Sequence, residues 1–118
     1  MKITIYHNPR CSKSRQTLEL IRAQGHEPEV VEYLTAPPDA KTLKRLIDML
    51  GITARELLRN KEVEYKTAGL DSASLSDDKI IQAMLTYPKL IERPIVVVND
   101  KAVMGRPVEN VLTILPKK

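Results

Sequence analysis

Apolar and polar residues alternate at the start of the chain. Lys2-Ile3-Thr4-Ile5-Tyr6 has the two-residue period and β-branched content of a half-buried strand. His7-Asn8-Pro9-Arg10 reads as a turn. From Ser12 the period lengthens: Leu18, Ile21 and Ala23 fall on or near one helical stripe, which Gly25 ends. Glu29 to Leu34 is a second strand, bounded by Pro28 and by Thr35-Ala36-Pro37-Pro38. Strand, helix and strand with short links predict a parallel pair joined by a right-handed crossover.

The middle of the chain is patterned for helices. Asp39 is placed to cap a segment carrying Leu43, Leu46, Ile47 and Leu50, closed by Gly51. Thr53 and Glu56 have capping-box spacing ahead of Leu57 and Leu58. Residues 60–75 read as polar loop. Ser76-Asp77-Asp78 opens a further helix through Ile80, Ile81, Met84 and Leu85, ending before Pro88. Strand patterns then return in Pro94-Ile95-Val96-Val97-Val98 and Lys101-Ala102-Val103-Met104, linked by the two-residue turn Asn99-Asp100. Pro107 suits the first position of a closing helix whose apolar face is Val108, Val111, Leu112 and Leu115. With no repeat or linker, the order predicts one domain over 1–118: a βαβ unit, a helical insert at about 39–90, a β-hairpin and a C-terminal helix. That is an α/β, thioredoxin-like fold with a central mixed sheet.

Composition narrows the functional classes. A chain of 118 residues, 42% apolar and 29% charged, can bury a core without disulfides or metals. Its longest apolar run, Ile95–Val98, is strand-sized, and the N-terminus has no apolar signal region. These features predict a soluble, cytoplasmic protein without membrane association. The net charge of +4 comes from interspersed residues, and four tyrosines are the only aromatics, so nothing predicts nucleic-acid binding. A single cysteine excludes an internal disulfide, and Cys11, His7 and His26 lack paired zinc-ligand spacing. No bound cofactor or metal is expected, and no spare apolar stripe suggests more than a monomer.

Cys11 sits where the first strand hands over to the first helix. A helix N-terminus presents N–H groups and positive potential, which favour thiolate over thiol. Arg10, Lys13 and Arg15 add charge within a turn, His7 lies four residues earlier, and Ser12 and Ser14 supply hydroxyls. Such a loop can activate a nucleophile and cradle an anion. A buried structural cysteine is the alternative, and a polar, cationic stretch argues against it. His7 could donate to the thiolate or hold the loop through the backbone. Ser14 takes the second position of what would be Cys-x-x-Cys, so electrons for any reduction must come from external thiols.

The run His7-Asn8-Pro9-Arg10-Cys11-Ser12-Lys13-Ser14-Arg15 resembles the active-site loop of the glutaredoxin-dependent arsenate reductases, the ArsC family. Ala54-Arg55-Glu56-Leu57-Leu58-Arg59, Glu92-Arg93-Pro94-Ile95-Val96-Val97 and Gly105-Arg106-Pro107 resemble later blocks of that family, in order and spacing. The resemblance covers nearly the whole chain. It implies that Cys11 is the nucleophile, that His7 lowers its pKa, and that Ser14 stands near it. It also implies oxyanion binding by Arg59, Arg93 and Arg106, with Arg15 as the loop arginine. Pro94 falls on the cis-proline of thioredoxin-like folds. Arsenate is the implied substrate, glutathione the co-substrate, and glutaredoxin the protein partner. The chain is shorter than the best-known members, and Arg10 and Ser12 stand where those tend to carry small residues. In this it resembles the short YfgD-like branch. Two other functions fit the same fold: an RNA polymerase-binding regulator similar to Spx, and a general glutathione-dependent thiol oxidoreductase. The absent second cysteine and the retained arginines count against the first. Activity on a small disulfide that survives loss of Arg59 and Arg106 would support the second.

Overall fold

The computed structural model describes residues 2–59, 62–67, 69–70, 75–92, 94–105 and 107–115. The chain divides into two compact units, one made of Met1–Ala36 with Arg93–Lys118 and the other of Pro37–Glu92.

The first unit is built on a mixed sheet of four strands: β1 (Ile3–His7), β2 (Glu29–Glu32), β3 (Ile95–Val98) and β4 (Lys101–Met104). Their spatial order is β2-β1-β3-β4. β1 and β2 are parallel, as expected of strands joined through helix α1 (Ser12–Ala23), and β3 runs antiparallel to β1. β3 and β4 form the expected hairpin, with Asn99 at φ 57 in the left-handed region that a tight two-residue link requires. In register, Val30, Ile5, Val96 and Val103 form one row across the sheet. Ile3, Ile5, Ile21, Val96, Val98 and Val111 make the buried cluster, with Leu18, Leu20 and Leu115 partly buried against it. Each such side chain contributes about 1.5–3 kcal/mol on removal from water. This is the thioredoxin-like arrangement, and β2 is its shortened edge, ending at Glu32 rather than Leu34.

The alternation of β1 decides what lies at its end. Ile3, Ile5 and His7 share the buried face, while Thr4 and Tyr6 are half-buried on the other. On α1 the buried positions are Ser14, Thr17 and Ile21, one stripe that is polar at the N-terminal end and apolar toward the C-terminal end. Ala23, expected on that stripe, is exposed because it faces away from Ile21.

The second unit holds α2 (Ala40–Leu50), α3 (Val63–Thr67) and α4 (Asp77–Thr86). Asp39 caps α2 by accepting from the Thr42 N–H at 2.8 Å, and Gly51 (φ 68) ends it in the left-handed conformation. α2 buries Leu43, Leu46 and Ile47, and α4 buries Ile80, Ile81 and Met84. The Thr53–Glu56 capping box forms in both directions, at 2.9 and 3.1 Å. It opens only a 3-10 turn, Arg55–Leu57. α3 falls within the stretch read as loop. It is a single short helix whose Val63 is 79% exposed, so it leaves no apolar stripe in the sequence.

The closing segment also differs from expectation. Val108–Thr113 is a 3-10 helix, and Pro107, in extended conformation, is its cap rather than its first residue. The Asn110 side chain donates to the Met104 carbonyl, and the Thr113 hydroxyl donates to the Asn110 carbonyl. Such side-chain bonds compete with a regular α-helical ladder. Of the expected apolar face only Val111 is fully buried, and Leu112 is 45% exposed. No helix among the described residues is long and apolar enough to cross a membrane.

Candidate active site

Cys11 is the cap residue of α1, in extended conformation (φ −94, ψ 122), and its side chain is partly buried. Its N–H donates to the Asn8 carbonyl at 3.0 Å, and its own carbonyl accepts from the Arg15 N–H at 3.0 Å. The thiol thus sits on the residue whose side chain ordinarily meets the unsatisfied N–H groups of the first turn. A helix start in general favours an anion through such groups and its dipole, and the Cys11 side chain makes no capping hydrogen bond to them.

The turn before Cys11 is fixed by a small buried network. Ser14, fully buried, accepts the Asn8 N–H at 3.0 Å, and its Oγ stands 2.6 Å from His7 Nδ1. Accepting from Asn8 leaves Ser14 Oγ its hydroxyl hydrogen and a second lone pair, so it donates to Nδ1 where that nitrogen is unprotonated and accepts from it where it is protonated. Burial is the main influence lowering the His7 pKa from its ordinary value near 6.5; Glu32 opposes this, and Arg22 and Arg15 reinforce it. Asn8, itself buried, accepts the Arg10 N–H on Oδ1 at 2.9 Å. Arg15 Nη1 donates to the Pro9 carbonyl at 2.9 Å. Every residue from His7 to Arg15 except Pro9, Ser12 and Lys13 thereby contributes an N–H or a side chain to the loop.

The structure brings His7, Cys11, Ser14 and Arg15 together in this loop. Ser14 points into it, and of the two loop serines only Ser12 is exposed. Pro94 is buried in the same unit, beside Gly105. The Gly105 N–H donates to the Pro94 carbonyl at 2.9 Å. A Cβ on Gly105 would stand 2.7 Å from both Pro94 Cγ and Thr17 Oγ1. Arg59 belongs to the other unit, where its Nε donates to Glu62 at 3.3 Å and its Nη1 to Glu92 at 2.8 Å. Arg93 and Arg106, expected to bind oxyanion, lie outside the described residues, as does the peptide bond entering Pro94.

A cationic loop holding one thiol at a helix start, on a thioredoxin-like sheet, suits nucleophilic attack on an anionic electrophile. The ArsC family model matches residues 6–114. The chain belongs to the ArsC family. An uncharacterised Escherichia coli protein, YfgD, is 57% identical over 115 residues, covering 97% of each chain. A Neisseria meningitidis protein named arsenate reductase is 47% identical over 115 residues, covering 97% of this chain and 98% of its own. The solved structure of arsenate reductase from Vibrio cholerae superposes with a TM-score of 0.94 at 52% identity, covering 98% of each chain.

Within this ArsC-family chain, the sequence placed Asn8 in a turn and Glu92 in a family block without a role for either, and did not single out Thr17 or Glu62. Asn8-Pro9 is a recognisable turn signal, so the role of Asn8 could have been found. Glu92 pairs with a residue 33 positions away, and no local pattern announces that.

Proposed function

We propose that the protein reduces arsenate to arsenite, with Cys11 as nucleophile and external thiols as reductant. The observation that carries this reading is the position of the chain's only thiol at the cap of α1, inside the loop held by His7, Asn8 and Ser14. The names of the relatives support the choice of substrate.

Arsenate is anionic, and an anionic thiolate cannot approach it until its charge is offset. Guanidinium groups match its oxygens with paired N–H donors. Arg59, Arg93 and Arg106 take this part, with Arg15 contributing charge at the loop. The Cys11 thiolate attacks arsenic and displaces hydroxide, forming an S–As(V) bond. Glutathione thiolate then attacks the Cys11 sulfur. The S–S bond forms as the S–As bond breaks, and that electron pair reduces arsenic to arsenite. Glutaredoxin removes the glutathionyl group by thiol–disulfide exchange and restores Cys11.

His7 and Ser14 serve this chemistry by position. The hydrogen bond between His7 and Ser14 fixes the loop geometry, and the helix start and nearby cations favour the thiolate. Pro94 shapes the adjoining corner. The protein works as one thioredoxin-like domain with a helical insert, as a monomer in the cytoplasm, and without a resident cofactor.

The test is NADPH oxidation coupled through glutathione reductase, glutaredoxin and glutathione, with arsenate as substrate. Wild-type protein should turn over and Cys11→Ser should not. Arg93→Lys should raise the KM for arsenate, because an ammonium lacks the paired donors. Turnover by the serine variant would refute the mechanism. Absence of arsenate-dependent turnover in wild type, with the coupling enzymes active, would refute the substrate.

A further inference from the structure

Asn8 is nearly enclosed, 5% exposed, in the turn that leads into Cys11. Three of its polar groups are committed within the loop. Its N–H donates to Ser14 Oγ at 3.0 Å, its carbonyl accepts the Cys11 N–H at 3.0 Å, and Oδ1 accepts the Arg10 N–H at 2.9 Å. The last contact settles which end of the carboxamide is which, because an N–H donor needs the oxygen. The fourth group, Nδ2, carries two N–H donors and has no hydrogen-bond partner among the described residues. It is not one of the sealed side-chain atoms, so it opens onto solvent. A carboxamide fixed at its oxygen and open at its nitrogen offers preorganised donors to whatever binds there. The bond from Cys11 to Asn8 closes a four-residue turn, which keeps the two Cα atoms within about 7 Å.

We propose that Asn8 is an oxyanion-binding residue, its Nδ2 donating to an oxygen of the arsenate that Cys11 attacks. This rests on the reading that the protein reduces arsenate at Cys11. A donor on the nucleophile's own turn fixes orientation: by holding one oxygen relative to the thiolate, it presents arsenic to the sulfur. A tetrahedral oxyanion has acceptors enough for this donor and for guanidinium groups together. The donor's neutrality matters as well. A further cation beside the sulfur would lower the thiol pKa and with it the nucleophilicity of the thiolate, whereas an amide binds the oxyanion with little effect on either.

The test is Asn8→Ser. A serine hydroxyl still accepts the N–H two residues on, though more weakly, and is too short to replace the amide donor; no charge changes. Two rates are compared with wild type. One is kcat/KM for arsenate in the coupled glutathione and glutaredoxin assay. The other is alkylation of Cys11 by iodoacetamide, an uncharged reagent that needs the thiolate but no oxyanion donor. The expected result is a fall in kcat/KM of roughly tenfold to a hundredfold with alkylation unchanged. Unchanged kcat/KM overturns the proposal, because the donor is then idle. A fall in kcat/KM matched by an equal fall in alkylation overturns it too, because Asn8 then only holds the loop. If Asn8→Ser does not fold, Asn8→Thr, uncharged and closer to asparagine in volume, decides by the same comparison. Wild type separates this inference from the reading beneath it. If wild type turns over arsenate and the variant gives either overturning result, only the role of Asn8 falls. If wild type reacts with iodoacetamide but never turns over arsenate, the substrate reading falls and takes this inference with it.

Discussion

Ser14 Oγ accepts the Asn8 N–H and stands 2.6 Å from His7 Nδ1, all three groups being buried. Removing this one oxygen leaves a buried backbone donor and a buried ring nitrogen to be satisfied by water or not at all. Ser14→Ala should therefore cost about 1–3 kcal/mol, read as a lowered urea midpoint, and should reduce turnover by loosening the turn before Cys11. A second residue-scale consequence concerns pH. Folding holds His7 below its ordinary pKa, through burial above all. As pH falls through 6.5 the unfolded chain takes up a proton that the folded chain resists. The His7 contribution is thus intact above that pH and is lost progressively below it. Comparing urea midpoints at pH 7.5 and 5.5, wild type should lose more stability than His7→Asn; equal losses would show that His7 does not titrate between the states. The residues of this loop were legible in sequence because a cysteine at a strand-to-helix junction among cations is a local pattern. The bond from His7 to Ser14 was not, since it depends on β1 and α1 turning the same two positions inward.

At the scale of elements, α1 is seated through Thr17. Its hydroxyl donates back to the Lys13 carbonyl at 2.8 Å, and its side chain fills the space that a Gly105 Cβ would need. β4 leaves the sheet at this point, and Pro94 enters β3 beside it, so helix, strand entry and strand exit meet with no room to spare. Gly105→Ala should force Pro94 or Thr17 to shift, costing about 1–3 kcal/mol by overpacking. Because Arg93 and Arg106 adjoin Pro94 and Gly105 in sequence, the KM for arsenate should rise more than kcat falls. An unchanged KM at reduced stability would limit the corner to a structural part. Elements with strong periodicity or explicit caps were readable: β1, α2 behind Asp39, α4 behind Ser76, and the hairpin at Asn99-Asp100. α3 was not, because five residues are too few to sustain a helix by propensity. What anchors its surroundings is non-local: Arg55 donates to Tyr65 Oη at 3.2 Å and to the Leu70 carbonyl at 2.9 Å.

At the scale of the whole molecule, the helical stretch expected at about 39–90 falls inside the unit Pro37–Glu92, and the strands fall in the other. The first unit combines the four strands with α1 and the closing 3-10 helix, whereas the second is helical throughout its regular elements. The single cysteine has a molecular consequence that no element carries alone. Cys11 has no second thiol in the chain with which to close a disulfide, so each two-electron step must leave its sulfur bonded to something external. In the proposed cycle that partner is glutathione. Exposure of the protein to glutathione disulfide should therefore add one glutathionyl group per chain, seen by intact mass, and Cys11→Ser should add none. Glutaredoxin with glutathione should remove the group and restore arsenate turnover. A wild-type chain that resists the adduct under conditions where other protein thiols form it would place the resolving step elsewhere, with glutathione attacking arsenic rather than the Cys11 sulfur. An adduct that forms but resists glutaredoxin would instead leave the nucleophile in place and call for a different thiol protein as the reductant.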